Sequence, residues 1–209
     1  MGVYRHPVAD RPGSSDLGTH IPSGRKALPA HPTDVKQPDR GNVTSRILIA
    51  GIGNIFLGDD GFGPEVLRHV APRFAAAEQV RAIDYGIGGM HLAYDLLEDW
   101  DALVLVDAVP NQGAPGTVCV FEADHASLST TAELDAHGMD PAAVFASLQA
   151  LGGAAPRTIV VGCEVADIDD GIGLSEPVQA AIPDAVAAVE SAVALLQDED
   201  AAETAVREG

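Results

Sequence analysis

Three acidic residues and one histidine stand where their types and spacing could do chemistry. Asp59 and Asp60 are adjacent in the stretch GIGNIFLGDDGFG, Gly51 to Gly63. Asp107 closes the apolar run ALVLVD. His137 lies in the polar stretch DHASLSTTAELDAHGMD, just ahead of Asp140 and Pro141. Asp60, Asp107 and His137 together offer two oxygens and one nitrogen. A set of that kind with open positions suits a borderline divalent metal, or one presented transiently. Each residue also has a plainer reading. Asp59 at the start of a helix is expected to be an N-cap. A second adjacent carboxylate has less capping value, so Asp60 is the better ligand candidate. Asp107 could instead bond neighbouring loop amides, and a lone loop histidine is often only solvated.

Other chemistries fit less well. Gly51 and Gly53 begin a G-x-G-x-x-G pattern, but its third glycine position is Phe56. No G-K-[ST] follows, and Asp59 and Asp60 would repel a pyrophosphate, so no nucleotide is expected. G-x-S-x-G, H-E-x-x-H and a Cys–His catalytic signature are all missing. His69 and His91 fall inside helical patterns and read as packing or surface residues. His125 is a weaker rival to His137, and Asp84, closing the second strand, is a candidate support for the crevice.

The elements that must position these groups alternate. RILIAGI, QVRAIDYG, DALVLVDAV, GTVCVFEA and RTIVVGCEV read as strands, the first as a buried parallel one. GPEVLRHVAPRF, GGMHLAYDLLEDW, PAAVFASLQALG and SEPVQAAIPDAVAAVESAVALLQ read as helices, with Leu92, Leu96 and Leu97 on one face of the second. Asp140 is the expected N-cap of the third, ahead of Pro141 at its first position. A bend is expected near Pro183 in the fourth. The pattern predicts an α/β fold, a three-layer α/β/α sandwich with a mostly parallel five-stranded sheet. In such sheets, sites form beyond the carboxyl ends of the strands. Gly51 and Gly53 allow a sharp turn there, and Asn54 can bond the backbone of that turn.

Residues 1–44 differ from the rest. They hold six of the fourteen prolines and show no apolar periodicity, which predicts a disordered leader. The α/β domain is expected over 45–197, followed by a flexible acidic tail, 198–209. Net charge is −19, and after Arg46 the chain carries 27 acids against 5 bases. Such a surface repels nucleic acid and anionic lipid, and could attract cations or a basic segment. Most of the charge reads as solubility. Cys119 and Cys163 read as buried free thiols of a reducing compartment, so the cytoplasm is expected. No run is expected to reach the roughly 18 apolar residues of a membrane span, and no secretory signal is expected.

Three stretches taken together resemble the hydrogenase maturation protease family. They are ILIAGIGNIFLGDDGFGPEV, DYGIGGMHLAYDLLEDWDALVLVDAV with the later APGTV, and TIVVGCEVADIDDGIGLSEPVQAAIPDAV. The resemblance covers about Arg46 to Leu196 and implies the same three-layer fold. It further implies an endopeptidase that trims the C-terminal extension of a [NiFe] hydrogenase large-subunit precursor after nickel insertion. The cut is expected just after the C-terminal cysteine motif, at a basic residue. By that resemblance, the residues meeting the metal are Asp60, Asp107 and His137, and the nickel is carried by the substrate. The expected partner is the large-subunit precursor, with no nucleic acid or membrane, and the expected state is a monomer. A metal-dependent maturation chaperone without catalysis is the alternative. For the cleavage step, metal polarisation of the scissile carbonyl, a metal-activated water and a carboxylate general base all remain open.

Overall fold

The computed structural model of the chain describes residues 45–123 and 141–207. These lie in one unit spanning Gly41–Gly209. The expected leader over 1–44 and the expected N-cap Asp140 lie outside the described residues. In chain order the elements are β1 (Ile47–Ile52), α1 (Phe62–Phe74), β2 (Val80–Gly86), α2 (Gly89–Asp95), β3 (Ala102–Val109), β4 (Val118–Glu122), α3 (Pro141–Ala150), β5 (Arg157–Glu164) and α4 (Glu176–Arg207).

The five strands form one sheet in the order β2-β1-β3-β5-β4. β1 pairs in parallel with both β2 and β3, and β3 pairs in parallel with β5. β4 closes the edge antiparallel to β5. Helices cover both faces, which is why β1 is buried at every position and reads as an unbroken apolar run. Ile47, Ile49, Val104 and Val106 pack under α1 and α4. Leu48, Ala50, Leu103 and Leu105, which alternate with them, pack under α2 and α3. Each fully buried aliphatic side chain contributes about 1.5–3 kcal/mol relative to exposure.

The chain leaves β1 toward β2 on one side, then returns past β1 to form β3 on the other. The order therefore reverses between β1 and β3, and that gap is the crevice where a doubly wound sheet places its site.

Several local expectations are corrected. Leu97 is 44% exposed, because α2 ends at Asp95 and only Leu92 and Leu96 reach the core. The helix α4 runs on to Arg207, where a tail from residue 198 was expected. The alanines and glutamates of DEDAAETAVR are good helix formers and carry it on. It is one continuous element through Pro183, which lies on its exposed side, so the carbonyl that proline leaves without a helical donor faces water. By length and mean hydropathy, 1.4 over Glu176–Glu199, part of this helix would suffice to cross a bilayer, contrary to expectation. Val178, Ile182, Val189 and Val193 are instead buried against the sheet, so its apolar content is that of a core helix. Cys119 is only partly buried, whereas Cys163 is fully so.

Candidate active site

The turn after β1 is built by close backbone approach. Gly53 has φ +130°, and a Cβ there would lie 1.9 Å from the Asp60 carbonyl oxygen. A Cβ on Gly63 would lie 2.2 Å from the Ile52 carbonyl oxygen and 2.6 Å from that of Val106. Only glycine lets the start of α1 sit directly on the ends of β1 and β3. Asn54 Oδ1 accepts from the Phe56 N–H at 3.0 Å and rounds the turn. A short 3-10 turn, Gly58–Gly61, then delivers the two aspartates.

The two carboxylates part at this point. Asp59 is fully buried and turned away from solvent. Its Oδ2 accepts from the Ala166 N–H at 2.7 Å, the Asp167 N–H at 3.0 Å and Ser175 Oγ at 2.8 Å. Its Oδ1 accepts from the Ser175 N–H at 2.6 Å. Burial opposes the charge, yet the bonds from Ser175, Asp167 and Ala166 outweigh it and hold the carboxyl below its ordinary value. The expected N-cap role is therefore corrected: neither the 3-10 turn nor α1 has a side-chain cap, and Asp59 ties the β1 turn to the β5–α4 loop.

Asp60 is only half-buried. Its Oδ2 accepts from the Asn54 N–H at 2.7 Å. Partial burial pushes this carboxyl above its ordinary value, and the Asn54 bond offsets only part of that. A carboxylate whose charge is so incompletely balanced favours an arriving cation. Asp60 lines an open cleft of about 390 Å³ together with Leu57, Ile168, Asp169 and Asp170.

Asp107 is buried near the carboxyl end of β3, in register with Gly162 of β5. By strand alternation it falls on the side of Leu103 and Leu105, the face covered by α2 and α3. Asp60 thus follows β1, and Asp107 lies near the carboxyl end of the adjacent parallel strand β3. His137, and with it the rival His125, lies outside the described residues. Among the described residues no group of three metal-capable side chains is assembled.

The remaining candidates have other tasks. Asp84 is exposed and its Oδ1 accepts from the Gly86 N–H at 2.9 Å, closing its own strand end. His69 pairs with Glu65 on the surface of α1, and His91 is exposed on α2. Sequence reasoning missed Asp59 as a tie, and missed the wall formed by Ile168, Asp169 and Asp170. The signal for both lay in DIDDGIGLS, whose Ser175 is the partner of Asp59.

Charge is polarised across the sheet. Among the described residues, Arg46, Arg81 and Arg157 stand at strand starts, and Arg68, Arg73 and Arg207 lie in α1 and α4. None of them lies on the loops at the carboxyl edge. Asp60, Asp167, Asp169 and Asp170 do.

Comparison with known proteins now adds the class. A family model described as hydrogenase maturation protease matches residues 64–192. The chain belongs to the hydrogenase maturation protease family. It is 32% identical over 166 residues to the hydrogenase expression/formation protein HupD of Rhizobium leguminosarum bv. viciae, covering 78% of this chain and 80% of that one. It is 30% identical over 149 residues to the hydrogenase 2 maturation protease of Escherichia coli, covering 71% and 90%. The solved structure of the hydrogenase maturating endopeptidase HybD from E. coli superposes with a TM-score of 0.60 at 28% identity, covering 71% of this chain and 91% of that one. The protein is a peptidase of this family, a hydrogenase maturation endopeptidase.

Proposed function

We propose that this endopeptidase removes the C-terminal extension of a [NiFe] hydrogenase large-subunit precursor once nickel has been inserted. The observation that carries the reading is the placement of Asp60 and Asp107 across the β1/β3 switch point, in an edge without arginine among the described residues. Two carboxylates there attract a cation, and the single bond from Asn54 only partly offsets what burial costs the Asp60 charge. In this reading His137, four residues ahead of α3 in the sequence, adds the imidazole. The nickel belongs to the substrate. Precursor without it offers the site no cation, so binding energy at Asp60, Asp107 and His137 is realised only on correctly loaded precursor. The two free cysteines are consistent with work in a reducing cytoplasm.

The test is incubation of the purified chain with nickel-loaded large-subunit precursor, read by mass spectrometry. The reading expects a large subunit shortened at its C-terminus. Binding without any shortening overturns it.

A further inference from the structure

Six large apolar side chains are exposed on the three segments that follow β1, β2 and β5, five of them in loops and Met90 in the first turn of α2. Ile55 and Phe56 follow β1, Ile87 and Met90 follow β2, and Ile168 and Ile172 follow β5. Ile172 is 81% exposed, Ile87 68% and Phe56 61%. The loops are tied together by backbone bonds: the Gly171 N–H donates to the Phe56 carbonyl at 2.9 Å, and the Gly53 N–H to that of Gly86 at 3.0 Å. Ile168 also lines the Asp60 cleft, beside Asp169 and Asp170. Scattered exposed hydrophobics need no explanation, but a group of them on hydrogen-bonded loops around one cleft marks a contact surface.

We infer that this collar is the docking surface for the precursor, and that the segment seated on it is apolar and carries net positive charge. This rests on the proteolytic reading of the site. The apolar character follows from the six side chains. The positive charge follows from Asp60, Asp167, Asp169 and Asp170 on the same edge, with every described arginine at the strand starts or along helices. The collar makes its contacts whether or not nickel is present, so it supplies general affinity while the carboxylates supply selection.

Steady-state processing of nickel-loaded large-subunit precursor by a Phe56→Ser/Ile172→Ser double variant tests the inference. KM is expected to rise about tenfold or more, as for truncation of central apolar contacts, with kcat within about twofold. Added salt should raise the wild-type KM, because the charged part of the contact is screened. Leu195→Ser, at an exposed position far along α4, should change neither constant. Ile87→Ser/Met90→Ser serves if circular dichroism shows the first variant unfolded. An unchanged KM in folded variants overturns the inference, as does an equal rise in Leu195→Ser. So does sedimentation showing that the collar joins two copies of the wild-type chain, and that Phe56→Ser/Ile172→Ser separates them. If the wild type binds precursor without shortening it, the proteolytic reading fails alone, and the same variants judge the docking through Kd.

Discussion

Asp59 and Ser175 are 116 residues apart in the chain and joined twice, by the Ser175 N–H at 2.6 Å and its Oγ at 2.8 Å. With the bonds from Ala166 and Asp167, this pairing locks the β1 turn onto the β5–α4 loop. Asp60, one residue on, inherits its position from that lock, and so do the cleft-wall residues Ile168, Asp169 and Asp170.

Removing the lock should cost stability. Asp59→Ala removes four part-buried hydrogen bonds to a carboxylate, and a loss of about 3 kcal/mol is expected. Ser175→Ala removes only one of the bonds and should cost about 1 kcal/mol. Denaturant unfolding of both variants checks the ranking. The lock also has a pH signature. Asp59 titrates below its ordinary value of 3.8 in the folded chain, so the unfolded chain binds more protons in acid. Its contribution is complete above that ordinary value and fades as pH falls through the lower folded one. The slope of stability against acid pH should flatten in Asp59→Ala.

The two carboxylates at the switch point should be dispensable for folding. Asp60→Asn keeps the shape that accepts from Asn54 N–H, and Asp107→Asn keeps the volume at the end of β3. Each is expected to lower processing by about a hundredfold or more, since even groups one layer removed from a metal cost tenfold to a hundredfold. Thermal melts close to wild type, combined with normal processing, would remove these residues from the site.

Gly63 should resist any side chain. The backbone oxygens of Ile52 and Val106 stand where its Cβ would go, so Gly63→Ala must push α1 off β1 and β3. Overpacking against backbone costs about 3 kcal/mol, which for a chain this size lowers Tm by roughly 10 °C. Gly171→Ala is the comparison. Its nearest obstacle is 3.9 Å away, and little change is expected.

The two thiols should separate cleanly by reactivity. Burial, helped by the charges of Asp59, Cys119 and Glu164, pushes the Cys163 thiol up to about 11. At about pH 8 it stays protonated and unreactive, while Cys119 is partly accessible at the edge strand. Iodoacetamide with peptide mapping should modify Cys119 in the folded chain and Cys163 only after unfolding.

Much of this was readable in the residues because it rests on local periodicity. The all-buried β1, the helix after it and the acid closing β3 are each written in a few consecutive side chains. The division of labour between Asp59 and Asp60 was not. Asp59 finds its partners more than a hundred positions away while Asp60 bonds nearby Asn54, and a single sequence carries no such distant pairing. The end of α4 was misread for a related reason, because charge suggested a tail where alanine and glutamate propensity sustained a helix. The crevice itself follows from strand order, which local patterns do not encode.

The central claim is that a nickel ion on the substrate licenses the cut. Nickel-loaded and nickel-free large-subunit precursor, treated side by side with wild type, Asp60→Asn and His137→Ala and weighed by mass spectrometry, test it most directly. The account predicts a shortened product only from loaded precursor with the wild-type chain. Equal shortening of nickel-free precursor, or full shortening by both variants, would contradict it.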